Sequence, residues 1–220
     1  MSLSRISVLT LMLIASIGEP LCADTVIFDN GVGGAASLTN GVVSDDDRPY
    51  YSFDDFTITD DLTLTAIAWT GVYAFQNTEP STDDFRFEIR EPGTGGNPGA
   101  LIYSDTVGNA VNRVDSGVNL FRFDVYEYSA EISEFNISAG DYWLSIINDT
   151  TGEGDDWFWG SSSGGNSRST SNFINFTVFN QNHDFQVSGH MPEPSGALLI
   201  FATTWTIMAR RRRIVRRTAM

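Results

Sequence analysis

The chain contains no lysine, and all thirteen of its basic residues are arginine. Without a lysine amine, Schiff-base chemistry and Ser–Lys catalysis are excluded. There is one cysteine, Cys22, near the N-terminus. The sequence beyond it can form neither a disulfide nor a thiolate nucleophile, so the core must hold through packing alone. Histidine is nearly absent too, with only His183 and His190. A Ser–His–Asp triad would have to use His183, and no Gly-x-Ser-x-Gly elbow is present to carry the serine. Nor does the middle of the chain show an apolar stripe at helical spacing.

What the chain has in abundance is negative charge. Between residues 24 and 191, six arginines stand against 26 acidic residues, a net charge of −20. Such a surface repels nucleic acid and anionic polysaccharide and favours divalent or polycationic partners, so no nucleic-acid partner is expected. So acidic a chain would be disordered if it lacked large apolar residues, but 15 Phe, 7 Tyr and 5 Trp supply a core. About 165 residues between the two ends suffice for one domain.

The ends differ from the middle. Arg5 precedes an apolar run over residues 6–17, which breaks at Gly18-Glu19-Pro20 and reaches the small Ala23 before Asp24. This reads as a secretory signal peptide over 1–23, handled by the Sec machinery and signal peptidase, with cleavage expected after Ala23. At the other end, residues 195–209 carry no charge and are followed by arginines over 210–217. A helix of that length spans roughly 22 Å, short of the hydrocarbon core of about 30 Å. Thr203, Thr204 and Thr206 dilute it further. The run suits a transient membrane stop, with the basic cluster on the cytoplasmic side and the acidic domain outside. An ordinary single-pass tail anchor is the alternative.

Met191-Pro192-Glu193-Pro194-Ser195, the short apolar run and Arg210-Arg211-Arg212-Arg213 occur in that order. Residues 191–217 thereby resemble a PEP-CTERM sorting signal. The resemblance implies an exosortase-like membrane protease that recognises Pro192, Glu193 and Pro194. It also implies transient inner-membrane anchoring through the C-terminus, then delivery to the cell envelope or exterior of a bacterium that makes exopolysaccharide or biofilm matrix.

From 24 to 190 the dominant period is two. Phe85-Arg86-Phe87-Glu88-Ile89-Arg90 alternates without error, Phe121-Arg122-Phe123-Asp124-Val125-Tyr126 repeats it, and Ile174, Phe176 and Val178 continue it. These patterns predict half-buried strands. Further strands are expected over 25–28, 50–58, 62–66, 101–106, 132–137, 141–146 and 183–188, with turns at 60–61, 91–99, 139–141 and 161–165. The fold class is therefore all-β: an antiparallel two-sheet sandwich, jelly-roll-like, between a signal peptide and a short hydrophobic helix. Residues 50–160, with Phe56-Thr57-Ile58, Asn97-Pro98-Gly99, Ala139-Gly140-Asp141-Tyr142-Trp143 and Trp157-Phe158-Trp159, also resemble a β-sandwich module common in PEP-CTERM proteins. That likeness implies a fold and no activity.

Two kinds of site stand out. Asp45-Asp46-Asp47 and Gly152-Glu153-Gly154-Asp155-Asp156 read as acidic loops, as does Asp83-Asp84, and Asp45 to Asp47 or Asp155 and Asp156 are candidate calcium ligands because calcium takes six to eight oxygen ligands. They also fit a solvated acidic surface, and none has the EF-hand spacing. Trp157 and Trp159 share one face of any strand through them. They are candidates for stacking on sugar rings if exposed and core residues if not, the core reading being preferred. The expected function is a non-catalytic envelope or matrix protein, structural or adhesive in exopolysaccharide. A carbohydrate-binding module is the alternative, and a two-carboxylate glycoside hydrolase a third reading.

Overall fold

The computed structural model describes residues 24–31, 34–74 and 79–191. They form two antiparallel sheets. The larger runs β1 (Thr25–Asp29), β14 (Phe185–His190), β4 (Leu62–Ala74), β10 (Asp156–Ser163) and β13 (Gln181–His183). To this sheet also belong β2 (Asn40–Val43) beside β10, β8 (Phe123–Ile137) beside β4, and β7 (Asn112–Leu120) beside β8. The smaller is ordered β12 (Thr177–Val178), β11 (Arg168–Thr170), β3 (Tyr51–Ile58), β9 (Gly140–Asn148), β5 (Phe85–Pro92), β6 (Pro98–Gly108). Helix among the described residues is limited to short 3-10 turns at Ala35–Ser37 and Thr94–Gly96. The two-sheet all-β architecture is the one the period-two pattern calls for.

The alternation translates directly into packing. On β5, Phe85, Phe87 and Ile89 are fully buried while Arg86 and Arg90 reach the surface to pair with acids. Across the gap, β4, β8, β10 and β14 contribute Leu64, Trp69, Tyr128, Trp157, Trp159 and Phe185 to the same cluster. Each large apolar side chain so buried contributes on the order of 2 kcal/mol. The rings lock edge to face: Trp69 meets Phe85 at 5.0 Å and Phe87 at 5.1 Å, and lies flat on Tyr128 at 5.3 Å. Gly71 makes room for this, since a Cβ there would stand 2.6 Å from the Trp157 indole. A second cluster, Ala35, Val72, Leu120 and Val125, lies apart from the main core.

Two expected strands are corrected. The run 121–126 does not form one strand: Phe121 and Arg122 are the two loop residues of the β7–β8 hairpin, whose closing pair is Leu120 with Phe123. Both have positive φ, 51° and 82°, the mirror-image turn that suits strand twist and ordinarily takes Asn-Gly. In the run 174–178 only Thr177–Val178 is strand. Residues 172–175 form a tight loop in which the Thr170 hydroxyl accepts from the Asn172 and Phe173 N–H groups. The turn expected over 161–165 begins later, because β10 continues to Ser163.

The first and last described strands are neighbours. Thr25 pairs with Gly189, and His190 Nδ1 lies 3.2 Å from Asp24 Oδ1. The candidate signal peptide (1–23) and the sorting segment, with Pro192, Glu193, Pro194 and Arg210 to Arg213, lie outside the described residues. Among those described, no helix is long and apolar enough to cross a membrane.

Candidate functional site

The two acidic runs picked out as calcium ligands do come together in the fold. They come together as structural groups. Asp45 is fully buried, and its carboxylate accepts from the Trp157 N–H (2.8 Å), the Thr150 hydroxyl (2.7 Å) and N–H (3.3 Å), and the Asp47 N–H (2.9 Å). Burial pushes its carboxyl above the usual carboxylate range, against the pull of these donors. Asp46 pairs with Arg86 at 2.8 Å and Asp156 with Arg48 at 2.6 Å. Asp155 and Asp156 are buried rather than looped into solvent, since β10 starts at Asp156. Asp83 holds Arg113 at 3.2 Å and accepts from the Tyr73 hydroxyl. Among the described residues, no group of three or more acidic or histidine side chains is placed to hold a metal ion.

Trp157 and Trp159 do share a face of β10, and that face is the core: both are 0% exposed. Trp157 stands edge-on to Phe85 at 5.1 Å, and Trp159 stacks on His183 at 4.4 Å with the planes 10° apart. Neither ring offers a surface to a sugar, so the stacking role is withdrawn from both. The cause is the register of β10 against β4, which turns odd-numbered residues inward. Trp143 is buried away from that core, under the Arg168 guanidinium 5.3 Å from its ring.

Beside Trp159 lies a buried polar cluster that sequence reasoning did not assemble. Strand β13–β14 passes from β10 to β4 at Asp184, whose carbonyl accepts from Trp159 Nε1 at 3.1 Å. On the facing sheet, Asp54 Oδ2 accepts from the His183 N–H at 2.6 Å and from Asn30 Nδ2 at 3.0 Å. Burial outweighs these donors and pushes the Asp54 carboxyl up to about 8. Burial likewise raises Asp184 to about 7 and lowers His183 to about 3. The His183 imidazole is therefore neutral, and neither ring nitrogen has a hydrogen-bond partner among the described residues. No serine–histidine–carboxylate relay is assembled around it, because Asp54 takes the backbone N–H and leaves the ring alone.

Two surface clefts are formed by the described residues. One, of about 570 Å³, lies over the outside of β4 and β8, with Ala66, Ser129 and Glu131 in its lining. The other, of about 460 Å³, opens where β2 of the larger sheet faces β11 and β12 of the smaller. Its lining includes Tyr50, Ser171, Asn172, Asn175, Thr177 and Phe179, and contains no charged residue. Both are within the size range of ligand sites, about 300–1,000 Å³.

Fold and interior together define an antiparallel β-sandwich with an aromatic core, a buried cluster of two aspartates and a histidine, and an uncharged cleft at one sheet edge. Comparison with protein-family models, with curated proteins and with solved structures gives no match.

Proposed function

We propose that this chain is an exported, non-catalytic protein of the cell envelope or extracellular matrix, built on a jelly-roll-like sandwich between a cleaved leader and a C-terminal sorting signal. The observation that supports this reading most is the meeting of the two ends. β1 and β14 pair, Asp24 contacts His190, and the core is complete between them. Residues 24 and 191, where the two end segments would be cut, lie side by side, and the described strands and core all fall between them. The fold also needs no disulfide, which leaves its stability independent of the redox state of the compartment. The acidic surface, with a net charge of −20 over residues 24–191, keeps such a protein soluble among anionic polymers.

The test is the intact mass of the protein recovered from a host with a functional sorting system. Cleavage after Ala23 and near Pro192-Glu193-Pro194 is expected. Replacing those three residues by alanine should leave the chain full-length and held at the inner membrane. Normal processing and release of that variant would overturn the assignment.

A further inference from the structure

The uncharged cleft between β2 and β11–β12 has a composition at odds with the rest of the surface. The chain is 19% charged, yet the lining holds only amides, hydroxyls, an aromatic rim and apolar groups at its base, Val42 and Val43 among them. Tyr50 stands at the rim with 48% of its surface exposed. The Tyr50, Ser171 and Thr177 hydroxyls and the Asn175 side-chain amide make no hydrogen bond within the described residues. These lining donors and acceptors are left to solvent or a ligand, since the protein itself does not use them.

The walls are held in place before any ligand arrives. Asn172 Oδ1 accepts from the Ile174 and Asn175 N–H groups, each at 3.0 Å. The Thr170 hydroxyl donates to the Asn175 carbonyl at 2.8 Å. The loop spends Asn172 and Thr170 on its own shape and leaves Asn175 and Thr177 for the cleft. Preformed walls spare a ligand the entropy of ordering them.

We propose that this cleft binds a neutral saccharide, with Tyr50 lying against a sugar ring and Asn175 and Thr177 hydrogen-bonding its hydroxyls. An anionic ligand would meet the field of a chain of net charge −15, with no lining cation to hold it. A cation would find no lining carboxylate. A neutral polyol with one apolar face satisfies both the hydroxyl and amide groups and the exposed ring. The proposal gives a ligand class to the matrix reading and rests on it only for its setting.

The experiment is native electrophoresis of the full chain through gels containing dextran, galactomannan or hydroxyethyl cellulose, with alginate as the anionic comparator. Retardation by at least one neutral polymer is expected. Tyr50→Ala and Asn175→Ala, both exposed side chains, should each weaken it roughly fivefold or more. Thr177→Ala serves as a third variant, and unchanged melting shows that each still folds. Phe121→Ala, which removes an aromatic 67% exposed in the turn of the β7–β8 hairpin and outside the cleft lining, should have no effect. No retardation by any neutral polymer, retardation by alginate alone, or equal loss in Phe121→Ala would overturn the proposal. Sugar binding by a chain whose Pro-Glu-Pro variant is processed normally would keep the cleft and discard the sorting reading. The converse result would do the opposite.

Discussion

Replacing Asp54 by asparagine should flatten the pH dependence of stability up to about pH 8. In the folded protein this carboxyl is fully buried and raised to about 8, whereas its ordinary value is 3.8. Between those values the native state keeps a proton that the unfolded chain has released, so the native state binds more protons and stability falls as pH rises. Each pH unit in that window costs about 1.4 kcal/mol, so Asp54 alone removes about 2 kcal/mol between pH 6.5 and pH 8. Asp184, raised to about 7, acts in the same direction over a shorter span. His183 acts oppositely, but only in more acidic solution. Its value is lowered from 6.5 to about 3, so the unfolded chain binds the extra proton below 6.5 and stability there falls as pH falls. Asparagine keeps an oxygen to accept the His183 N–H and cannot ionise. The assay is urea unfolding of wild type and Asp54→Asn at several pH values from 6 to 9, followed by the fluorescence of the buried Trp69, Trp157 and Trp159. Wild type should lose about 4 kcal/mol across the range, from Asp54 and Asp184 together, and the variant roughly 2.5 kcal/mol less. Identical slopes for the two proteins would refute the reasoning.

Three further outcomes are expected. Changing Phe121-Arg122 to Asn-Gly should stabilise the β7–β8 hairpin by about 1–2 kcal/mol in urea unfolding, because a left-handed conformation costs a residue with a Cβ roughly that much. Asp45→Ala should cost at least about 3 kcal/mol, since the Trp157 and Thr150 donors lose a buried acceptor together; a loss below 1 kcal/mol would mean that water replaces it. Calcium against chelator should move the melting midpoint by less than about one degree, and a rise of several degrees would show the Asp45–Asp47 and Asp155–Asp156 carboxylates rearranging around an ion.

The strand most legible in the sequence is the one with alternating apolar and charged residues, Phe85 to Arg90 on β5; β9 is legible from its apolar and aromatic residues instead, and from Trp143 on it is buried on both faces. Period two is a local signal, and there it coincides with the tertiary demand. At Phe121-Arg122 the same alternation continues through a turn, because strain at two residues is repaid by pairing along both strands of the hairpin. The short β2 carries almost no pattern of its own; its Gly41 sits against Phe158, where a Cβ would come within 3.0 Å. The face of Trp157 and Trp159 was legible, but whether that face met water was not, since it depends on strands far away in the chain. Asp54 and His183 are 129 residues apart, and Tyr50 stands at the cleft with residues more than a hundred positions later. No local pattern brings such residues together; only the pairing of whole sheets does.

The pairing of β1 with β14 also decides how the domain bears load. β14 is hydrogen-bonded on both flanks, to β1 and to β4. Tension on the chain beyond Met191, with the body of the domain held, must strain two ladders at once. Tension applied between residues 24 and 191 instead opens the β1–β14 pair from its end, one rung at a time, beginning at Thr25 and Gly189. A domain held by its C-terminal end alone is therefore mechanically stronger than one pulled apart by both ends, and loss of the N-terminal segment removes the weaker direction.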